Sequence, residues 1–534
     1  MKTKLLAVSL ITLTCLYGAL AGILIFVCLC IDVQISYAIT AAIIAIIIQF
    51  LIAPVLNDFV FKHFYQVNWN AQIPDYLKKF ITDTCNKHNM KYPKIGLIND
   101  GTPNAFTYGR TKNDARVVIT KGILELLNEE EVKSVVAHEL GHANHYDMLF
   151  MTAVQIVPLI LYHVYELLLN TNSNKSSKSS SKNDNNIAIV GLIAFALYII
   201  SQYIILWLSR TREYYADSFS IEETKNPNAL ASALVKIGYG LSMADTTKKH
   251  SVSKTNALGI FDSKTSKSLV ISSMDDGQIS KDNIKNAMKW EEWNVWAKWY
   301  ELNSTHPLIS KRLLAISSRS EEFNQTPYIT FDLKKEESYI DDFLIEVLIS
   351  FLPTLSLLIG ILITAFLYTK GQNYLKPVSI TLLITIVLSY VKFRRKYSSS
   401  PFTEKKVKDL LGEVKVSHIT SVPCTLEGKI IGRGNPGCIF NEDFVIQDDT
   451  GIMFLDYNQP LAIINKIFAL FKSKEYFEKN IKIKGWYRRS PVPYVEIKTM
   501  EIDGKEKKVF TYYIGIALHI IIAIISIVLF SISL

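Results

Sequence analysis

The stretch EVKSVVAHELGHANHYDMLF, from Glu131 to Phe150, decides how the rest of the chain is interpreted. On a helix, His138 and His142 are four residues apart, so both imidazoles leave the same face and can reach one ion. Glu139 follows the first imidazole and can reach a water held beside that ion. The alternative is a solvated helix face whose histidines bind nothing. Gly141 argues against it, because Gly inside a helix costs roughly 1 kcal/mol relative to Ala and predicts close approach of a backbone or a substrate.

A catalytic zinc site needs three protein ligands and an open fourth position. Extension of the motif along its own helix fails as a source of the third ligand, since His145 and Met148 stand where a metzincin would have Gly and His. A second stretch, SRTREYYADS, supplies Glu213, with Asp217 one helical turn later. We therefore expect Glu213 to bind the metal, and Asp217 to accept a hydrogen bond from a ligand imidazole and fix its tautomer. His145 is expected to be a surface residue.

The chain of 534 residues is apolar overall, with a mean hydropathy of +0.19. The apolar residues are concentrated in runs close to the roughly 20 residues that cross a bilayer as a helix. The seven predicted spans are Leu5 to Leu29, Ala38 to Val55, Leu149 to Leu169, Ile187 to Leu208, Phe343 to Tyr368, Leu375 to Val391 and Thr511 to Leu534. The first run is too long, and too closely followed by the second, for a cleaved signal peptide, so a retained anchor is expected.

The distribution of Lys and Arg predicts the orientation. Lys2 and Lys4 precede the first run, and a cluster of basic residues, 392–396, follows the sixth. The positive-inside rule then predicts a cytoplasmic N-terminus, an external C-terminus and a cytoplasmic metal site. Only the lysines between the third and fourth runs, at 175, 178 and 182, oppose this arrangement. The net charge of +9 is explained by this topology, and no nucleic-acid partner is expected.

These patterns predict a mainly α multi-pass membrane protein with a zincin-type α+β catalytic domain and a C-terminal small β-barrel, OB-like in fold. The barrel is expected because short alternating runs, such as TLEGKIIGRG and NIKIKGWYRR, are separated by Gly and Asp turns. The predicted segments are 1–56 (two membrane helices), 57–147 (catalytic domain, first part), 148–208 (membrane hairpin), 209–342 (catalytic domain, second part), 343–391 (membrane hairpin), 392–510 (barrel) and 511–534 (last membrane helix).

Four motifs in order give the chain a family resemblance: NAFTYG (104–109), HELGH, SRTREYYAD and HPLISKR (306–312). The stretch from about Leu5 to Ser318 resembles the M48 family of integral-membrane zinc metallopeptidases, which includes the HtpX heat-shock proteases and the CAAX-prenyl proteases. The resemblance implies that His138, His142 and Glu213 bind one Zn²⁺ and that Glu139 is the catalytic base. Only two spans precede HELGH, as in HtpX, which makes a prenyl-protein substrate a less favoured alternative.

Further site residues come from the outer two motifs. KIGLIND and ARVVIT are predicted strands on either side of NAFTYG. Asn104, Ala105 and Phe106 are expected to begin an edge strand that pairs with an extended substrate, the alternative being a structural hairpin. His306 is expected to stabilise the oxyanion or orient the substrate, with Arg312 in support.

Together these features predict a zinc endopeptidase that cleaves membrane proteins or misfolded proteins at the cytoplasmic face, with a partner or substrate recruited by the barrel. The alternative of a different class is a non-hydrolytic membrane scaffold whose zinc is structural. A closed structural site would need a fourth protein ligand, for which His145 is the nearest candidate in sequence.

Overall fold

The computed structural model describes residues 2–31, 35–101, 103–173, 182–243, 274–275, 278–371, 374–433 and 442–533. The chain divides into two compact units. The first consists mainly of Met1–Gly240 and Glu301–Thr330, and the second mainly of Ser263–Tyr300 and Phe331–Leu534.

The elements of the N-terminal part form a helical assembly with one small sheet. In chain order they are α1 (Lys2–Ile31), α2 (Ile35–Phe64), α3 (Asp75–Lys87), β1 (Lys94–Ile98), β2 (Ala105–Gly109), β3 (Ala115–Thr120), α4 (Lys121–Leu126), α5 (Glu129–Asn144), α6 (Asp147–Ser173), α7 (Lys182–Thr224) and α8 (Pro227–Met243).

The remaining elements continue through the second unit, apart from the helix Ile309–Ser317, which belongs to the first. They are β4 (Met274–Asp275), β5 (Gln278–Ile279), α9 (Lys281–Trp293), α10 (Val295–Leu302), α11 (Ile309–Ser317), α12 (Ile340–Thr369), α13 (Leu375–Lys396), β6 (Thr403–Glu404), α14 (Val407–Leu411), β7 (Val422–Arg433), β8 (Phe444–Gln447), β9 (Ile452–Asp456), α15 (Ala462–Phe471), β10 (Asn480–Ser490), β11 (Val492–Ile502), β12 (Lys505–Lys508) and α16 (Thr511–Ile532).

Five of the seven predicted spans correspond to helices that are long and apolar enough to cross a bilayer. Within the described residues these segments are Asp147–Glu166, Ile189–Thr224, Ile340–Thr369, Leu375–Lys396 and Thr511–Ile532. The first two predicted runs are also helical, as α1 and α2, each of 30 residues. Side chains of many residues in those two helices lie outside the described set.

The sheet of the first unit has the order β1-β3-β2, with β1 parallel and β2 antiparallel to β3. The predicted strands in KIGLIND and ARVVIT are thus confirmed, and NAFTYG contributes an edge strand.

The helix that carries HELGH, α5, begins with a capping box. Asn128 accepts a hydrogen bond from the backbone N–H of Glu131, and the Glu131 carboxylate accepts one from the backbone N–H of Asn128. Such a box satisfies backbone donors that a helix start otherwise leaves unpaired.

Helix α5 packs directly against α7 at Gly141. A Cβ atom added to this glycine would lie 3.1 Å from Cβ of Phe219 and 3.2 Å from Cα of Ala216. The absence of a side chain therefore lets the two helix backbones approach closely, which is the reason expected for a glycine within this helix. The helix α7 extends well beyond its apolar run, so its last turns lie beside α5 rather than among the membrane helices.

In the second unit, five strands close into a barrel. Each neighbouring pair along the order β7-β8-β9-β11-β10 is hydrogen-bonded, and β10 pairs back with β7. The pairing of β9 with β11 is parallel, and α15 lies between β9 and β10 in the chain. Gly485 is placed at an irregularity of β10 where a Cβ atom would collide with the carbonyl of Glu496.

The Gly141 contact can be tested with Gly141→Val. The added branches collide with α7, and overpacking of this kind costs about 1–3 kcal/mol. We expect a lower thermal midpoint in detergent and, because the two helices carry different candidate ligands, weaker zinc binding. Gly18→Val is the matched control, since no described atom lies within 4 Å of a Cβ added there. Equal midpoints and equal zinc content for the two variants would refute the packing role.

Candidate active site

The candidate metal ligands come from the two helices that meet at Gly141. Nε2 of His138 lies 3.2 Å from Nε2 of His142 and 3.5 Å from Oε2 of Glu213. Nε2 of His142 lies 3.5 Å from Oε1 of Glu213. Within the described part of the chain, this is the only group of His, Cys, Asp and Glu side chains spaced to hold a metal ion.

These separations fit one tetrahedral ion. Zinc lies roughly 2.0–2.2 Å from its nitrogen and oxygen ligands, so two ligands at the tetrahedral angle are about 3.4 Å apart. The carboxylate oxygen Oε2 of Glu213 is buried and accepts no hydrogen bond from the described residues, although Nη1 of Arg312 lies 3.3 Å away. Two imidazoles and a carboxylate with an unsatisfied oxygen form a donor set that a divalent cation would complete.

Each candidate ligand imidazole has an aspartate beside its other nitrogen. Nδ1 of His138 lies 2.9 Å from Oδ1 of Asp217, and Nδ1 of His142 lies 2.7 Å from Oδ2 of Asp147. A proton held on Nδ1 leaves the Nε2 lone pair directed at the ion. The sequence pointed to Asp217 but not to Asp147. Between α5 and α6, Tyr146 adopts a left-handed conformation with φ 60°, and the residue after it is Asp147.

Both aspartates are in turn bound by buried arginines. Arg312 donates from Nε to Oδ2 of Asp217 at 2.9 Å and from Nη2 to Oδ1 at 2.7 Å. Arg212 donates from Nη1 to Oδ1 of Asp147 and from Nη2 to the hydroxyl of Ser9 on α1, at 2.7 Å. The guanidinium of Arg312 is only 1% exposed, so it contacts the ligand network rather than the protein surface.

The imidazoles differ in their protonation. Burial disfavours the charged form of both. For His138, the neighbouring carboxylates of Asp217 and Glu213 outweigh burial and raise the pKa to about 9. For His142, burial prevails over the attraction of Glu213 and lowers the pKa. A cation that binds to Nε2 of His138 must therefore displace a proton at neutral pH.

Glu139 lies next to the first ligand on α5, and its side chain is buried. At the same residue the edge strand meets the helix, because the Thr107 hydroxyl donates to the carbonyl oxygen of Glu139 at 3.3 Å. The start of this strand is firmly held. The backbone N–H of Asn104 donates to the Thr120 hydroxyl at 2.8 Å, and the side chains of Ala105 and Phe106 are buried.

The HPLISKR segment brings two of its residues to the ligands. Nε2 of His306 lies 3.7 Å from Oε1 of Glu213, and Arg312 binds Asp217 as described above. His145 is outside the metal-ligand group. Its ring lies instead edge-on to Tyr215 and Phe219 on α7, with ring centroids 6.3 Å and 5.8 Å away.

The fold and the ligand group define a class, the membrane metalloproteases, and comparison with known proteins specifies the family. Residues 71–320 match the sequence profile described as peptidase family M48. The chain is 39% identical over 197 residues to a protease HtpX homolog of Methanothermobacter thermautotrophicus, covering 37% of this chain and 71% of the relative. It is 28% identical over 279 residues to a protease HtpX homolog of Picrophilus torridus, covering 52% and 82% respectively. The chain belongs to peptidase family M48.

Among solved structures, the chain is similar to Ste24p of S. mikatae, with a TM-score of 0.34 and 16% sequence identity, over 59% of this chain and 67% of that one. The family match ends at residue 320, so the second membrane hairpin, the barrel and the last helix lie beyond it.

The orienting role of Asp147 predicts the effect of Asp147→Asn. The substitution keeps the shape of the side chain but removes the charge that holds the Nδ1 proton of His142. Loss of such a partner typically costs 10–100-fold in metal affinity. We expect a loss of this size for zinc, measured by competition with a chelator in detergent. Asp83→Asn, on an exposed position of α3, should bind zinc as the parent protein does. Unchanged affinity for Asp147→Asn would show that the contact does not orient the ligand.

The proton on His138 predicts a pH dependence of metal binding. Because the pKa of this imidazole is raised to about 9, the proton competes with the metal below that pH, and apparent zinc affinity should rise about tenfold per pH unit from pH 7 towards 9. Asp217→Asn removes the negative charge that raises the pKa of His138. In this variant the rise of apparent zinc affinity with pH should therefore occur at lower pH. If apparent zinc affinity depended on pH in the same way in both proteins, the proton that competes with zinc would not be the one on His138.

Proposed function

We propose that this protein is a zinc-dependent endopeptidase that hydrolyses peptide bonds of membrane or misfolded proteins at the cytoplasmic face of the membrane. His138, His142 and Glu213 would hold the ion. When bound, zinc lowers the pKa of water and polarises the scissile carbonyl. The Glu139 carboxylate takes the proton of the attacking water and later delivers it to the nitrogen of the leaving amine.

The observation that carries the proposal is the convergence of Nε2 of His138, Nε2 of His142 and the Glu213 carboxylate at 3.2–3.5 Å, with Glu139 beside them. Four protein ligands would favour the alternative, a structural zinc in a non-hydrolytic scaffold. The ring of His145 lies against α7 aromatic side chains instead, so three candidate ligands remain among the described residues, which supports the hydrolytic function.

The neighbouring residues have distinct proposed roles. The backbone of β2, rather than the buried side chains of Ala105 and Phe106, pairs with an extended substrate, because β2 is an edge strand tied to α5. His306 is close enough to Glu213 to contact the developing oxyanion. Asp217, Asp147, Arg212 and Arg312 are positioning residues that act through the ligand imidazoles.

The remaining assignments follow from the sequence patterns. The distribution of basic residues supports a cytoplasmic N-terminus and site and an external C-terminus. The strand order of the barrel, its parallel β9–β11 pair and the helix between its third and fourth strands support an OB-like fold. The barrel would recruit substrates or a partner. A CAAX-prenyl protease activity is a second alternative, which a farnesyl-peptide cleavage assay would reveal.

The role of Glu139 predicts that Glu139→Gln retains zinc but loses proteolysis. The amide cannot accept a proton, and we expect a fall of at least about 100-fold in the cleavage rate of an unfolded test protein, as general bases typically contribute 10²–10⁴-fold. Zinc content is measured on the same purified sample. Glu130→Gln is the matched control, since Glu130 is exposed on the same helix and pairs only with Lys133 among the contacts described.

Three results would decide against the proposal. A Glu139→Gln variant that keeps its zinc and cleaves at the parental rate would exclude Glu139 as the base. A parent protein that binds zinc but cleaves no protein substrate would favour the scaffold. A parent protein whose cleavage survives complete removal of zinc would exclude the metal mechanism.

A further inference from the structure

Helix α15 packs on the outside of the barrel, and both its inward and its outward faces are apolar. Its inward face is formed by Asn465, Phe468 and Ala469, all buried, and the ring of Phe468 stacks on Tyr457 with centroids 4.1 Å apart. At 100° per residue, the opposite face is formed by residues such as Ile463 and Ile467. A helix packed on a soluble domain normally has a polar outer face.

The outer face of α15 and its ends are instead apolar and exposed. Ile463 is 66% exposed, Ile467 52% and Phe471 75%. The large exposed apolar side chains are Leu461, Ile463, Ile464, Ile467, Leu470 and Phe471. Lys466 is the single charged residue within the helix, and Lys472 follows it. A contiguous exposed apolar surface of this kind marks a contact with a partner or a membrane.

The position of α15 is fixed by the chain segment that precedes it. The backbone N–H of Phe510 donates to Oε1 of Gln459 at 3.0 Å, and Nε2 of Gln459 donates to the carbonyl of Lys508 at 3.3 Å. The Thr511 hydroxyl also donates to the carbonyl of Asn458. Asn458, which the first residue of α16 contacts, is four residues before the start of α15, so that start lies within about 14 Å of Asn458.

Helix α16 is a candidate membrane span, and its first turn would lie at one edge of the bilayer. The helix has 22 residues and is therefore about 33 Å long, close to the thickness of the hydrocarbon core. It begins with Tyr512 and Tyr513, and aromatic residues are typical of the membrane–water interface. The end of α13, another candidate span, is at the same level, since the rings of Phe393 and Tyr397 lie 5.7 Å and 5.4 Å from that of Tyr512.

Where the end of α13 meets the start of α16, basic side chains are placed to bind lipid head groups. The last turn of α13 is Arg394, Arg395 and Lys396. The barrel itself is attached there, because Tyr397 donates to the Glu496 carboxylate at 2.6 Å and Arg488 donates to the carbonyl of Lys396. Both helix ends and the start of α15 thus lie at one end of the barrel.

We propose that α15 is an in-plane membrane anchor, with Ile463, Ile467 and Leu470 immersed at the boundary between head groups and acyl chains. An amphipathic helix gains binding energy from the apolar area that it buries there. Lys466 and Lys472 extend to the phosphates. The occupant of the apolar face is therefore lipid, and the barrel is held against the bilayer by α13, α15 and α16 together. This anchor is independent of the peptidase chemistry.

The test uses the full chain with its cysteines replaced by serine, reconstituted in vesicles of phosphatidylcholine and phosphatidylglycerol. A nitroxide is attached to Ile467→Cys or, one turn earlier on the same face, to Ile463→Cys. Collisions with oxygen, which concentrates in lipid, are compared with collisions with a water-soluble nickel chelate. Asp449→Cys is the control, because Asp449 is exposed in the turn before β9. The residues that contact the start of α16 follow the other end of that strand, roughly 20 Å away.

We expect both α15 labels to collide several-fold more with oxygen than with the nickel chelate, and the Asp449 label to show the reverse. Nickel accessibility at both α15 positions equal to that at Asp449 would overturn the proposal. Protection of both positions from oxygen and nickel alike would also overturn it, because the face would then be covered by a second copy or another protein. Agreement between the two α15 labels excludes a local distortion at either one.

Discussion

The balance of buried charge is the constraint on which the site depends. Four carboxylates, those of Glu139, Asp147, Glu213 and Asp217, are buried around the ligand atoms, and two guanidinium groups, those of Arg212 and Arg312, are buried with them. Four negative charges less two positive ones leave two negative charges, which a divalent cation would neutralise. Burying uncompensated charge is very costly, so a bound divalent cation and the network would stabilise each other. When no cation is bound, the extra proton on His138 supplies one positive charge and so partly replaces the cation.

This balance is achieved only because two helices are held at a short separation. Helix α5 supplies both imidazoles and α7 supplies Glu213 and Asp217, so a shift of one helix along the other would move ligands and counter-charges together. Gly141 sets the separation, and the capping box at Asn128 sets where α5 begins. Hydrogen bonds from Thr107 and Arg312 then attach the edge strand and α11 to the same pair of helices.

Local sequence patterns predicted the parts of this arrangement that are themselves local. The i, i+4 spacing of the histidines and the strands on either side of NAFTYG could both be recognised within short stretches. Asp147 and Arg212 were missed because their roles arise from a chain reversal at Tyr146 and from a contact between helices distant in sequence. The covering of both faces of β2 at Ala105 and Phe106 was likewise missed, since alternation along a strand does not show which faces are covered. For α15, the string AIINKIFALF is apolar on nearly all sides, and only the barrel shows which side is left exposed.

The contact between Ser9 and Arg212 joins α1 to the ligand network. A hydrogen-bonded series runs from the hydroxyl on α1 through Arg212 and Asp147 to the imidazole of His142. A fragment without α1 would leave this buried guanidinium nitrogen without the hydroxyl that accepts its hydrogen bond, so α1 helps to hold the network that orients His142.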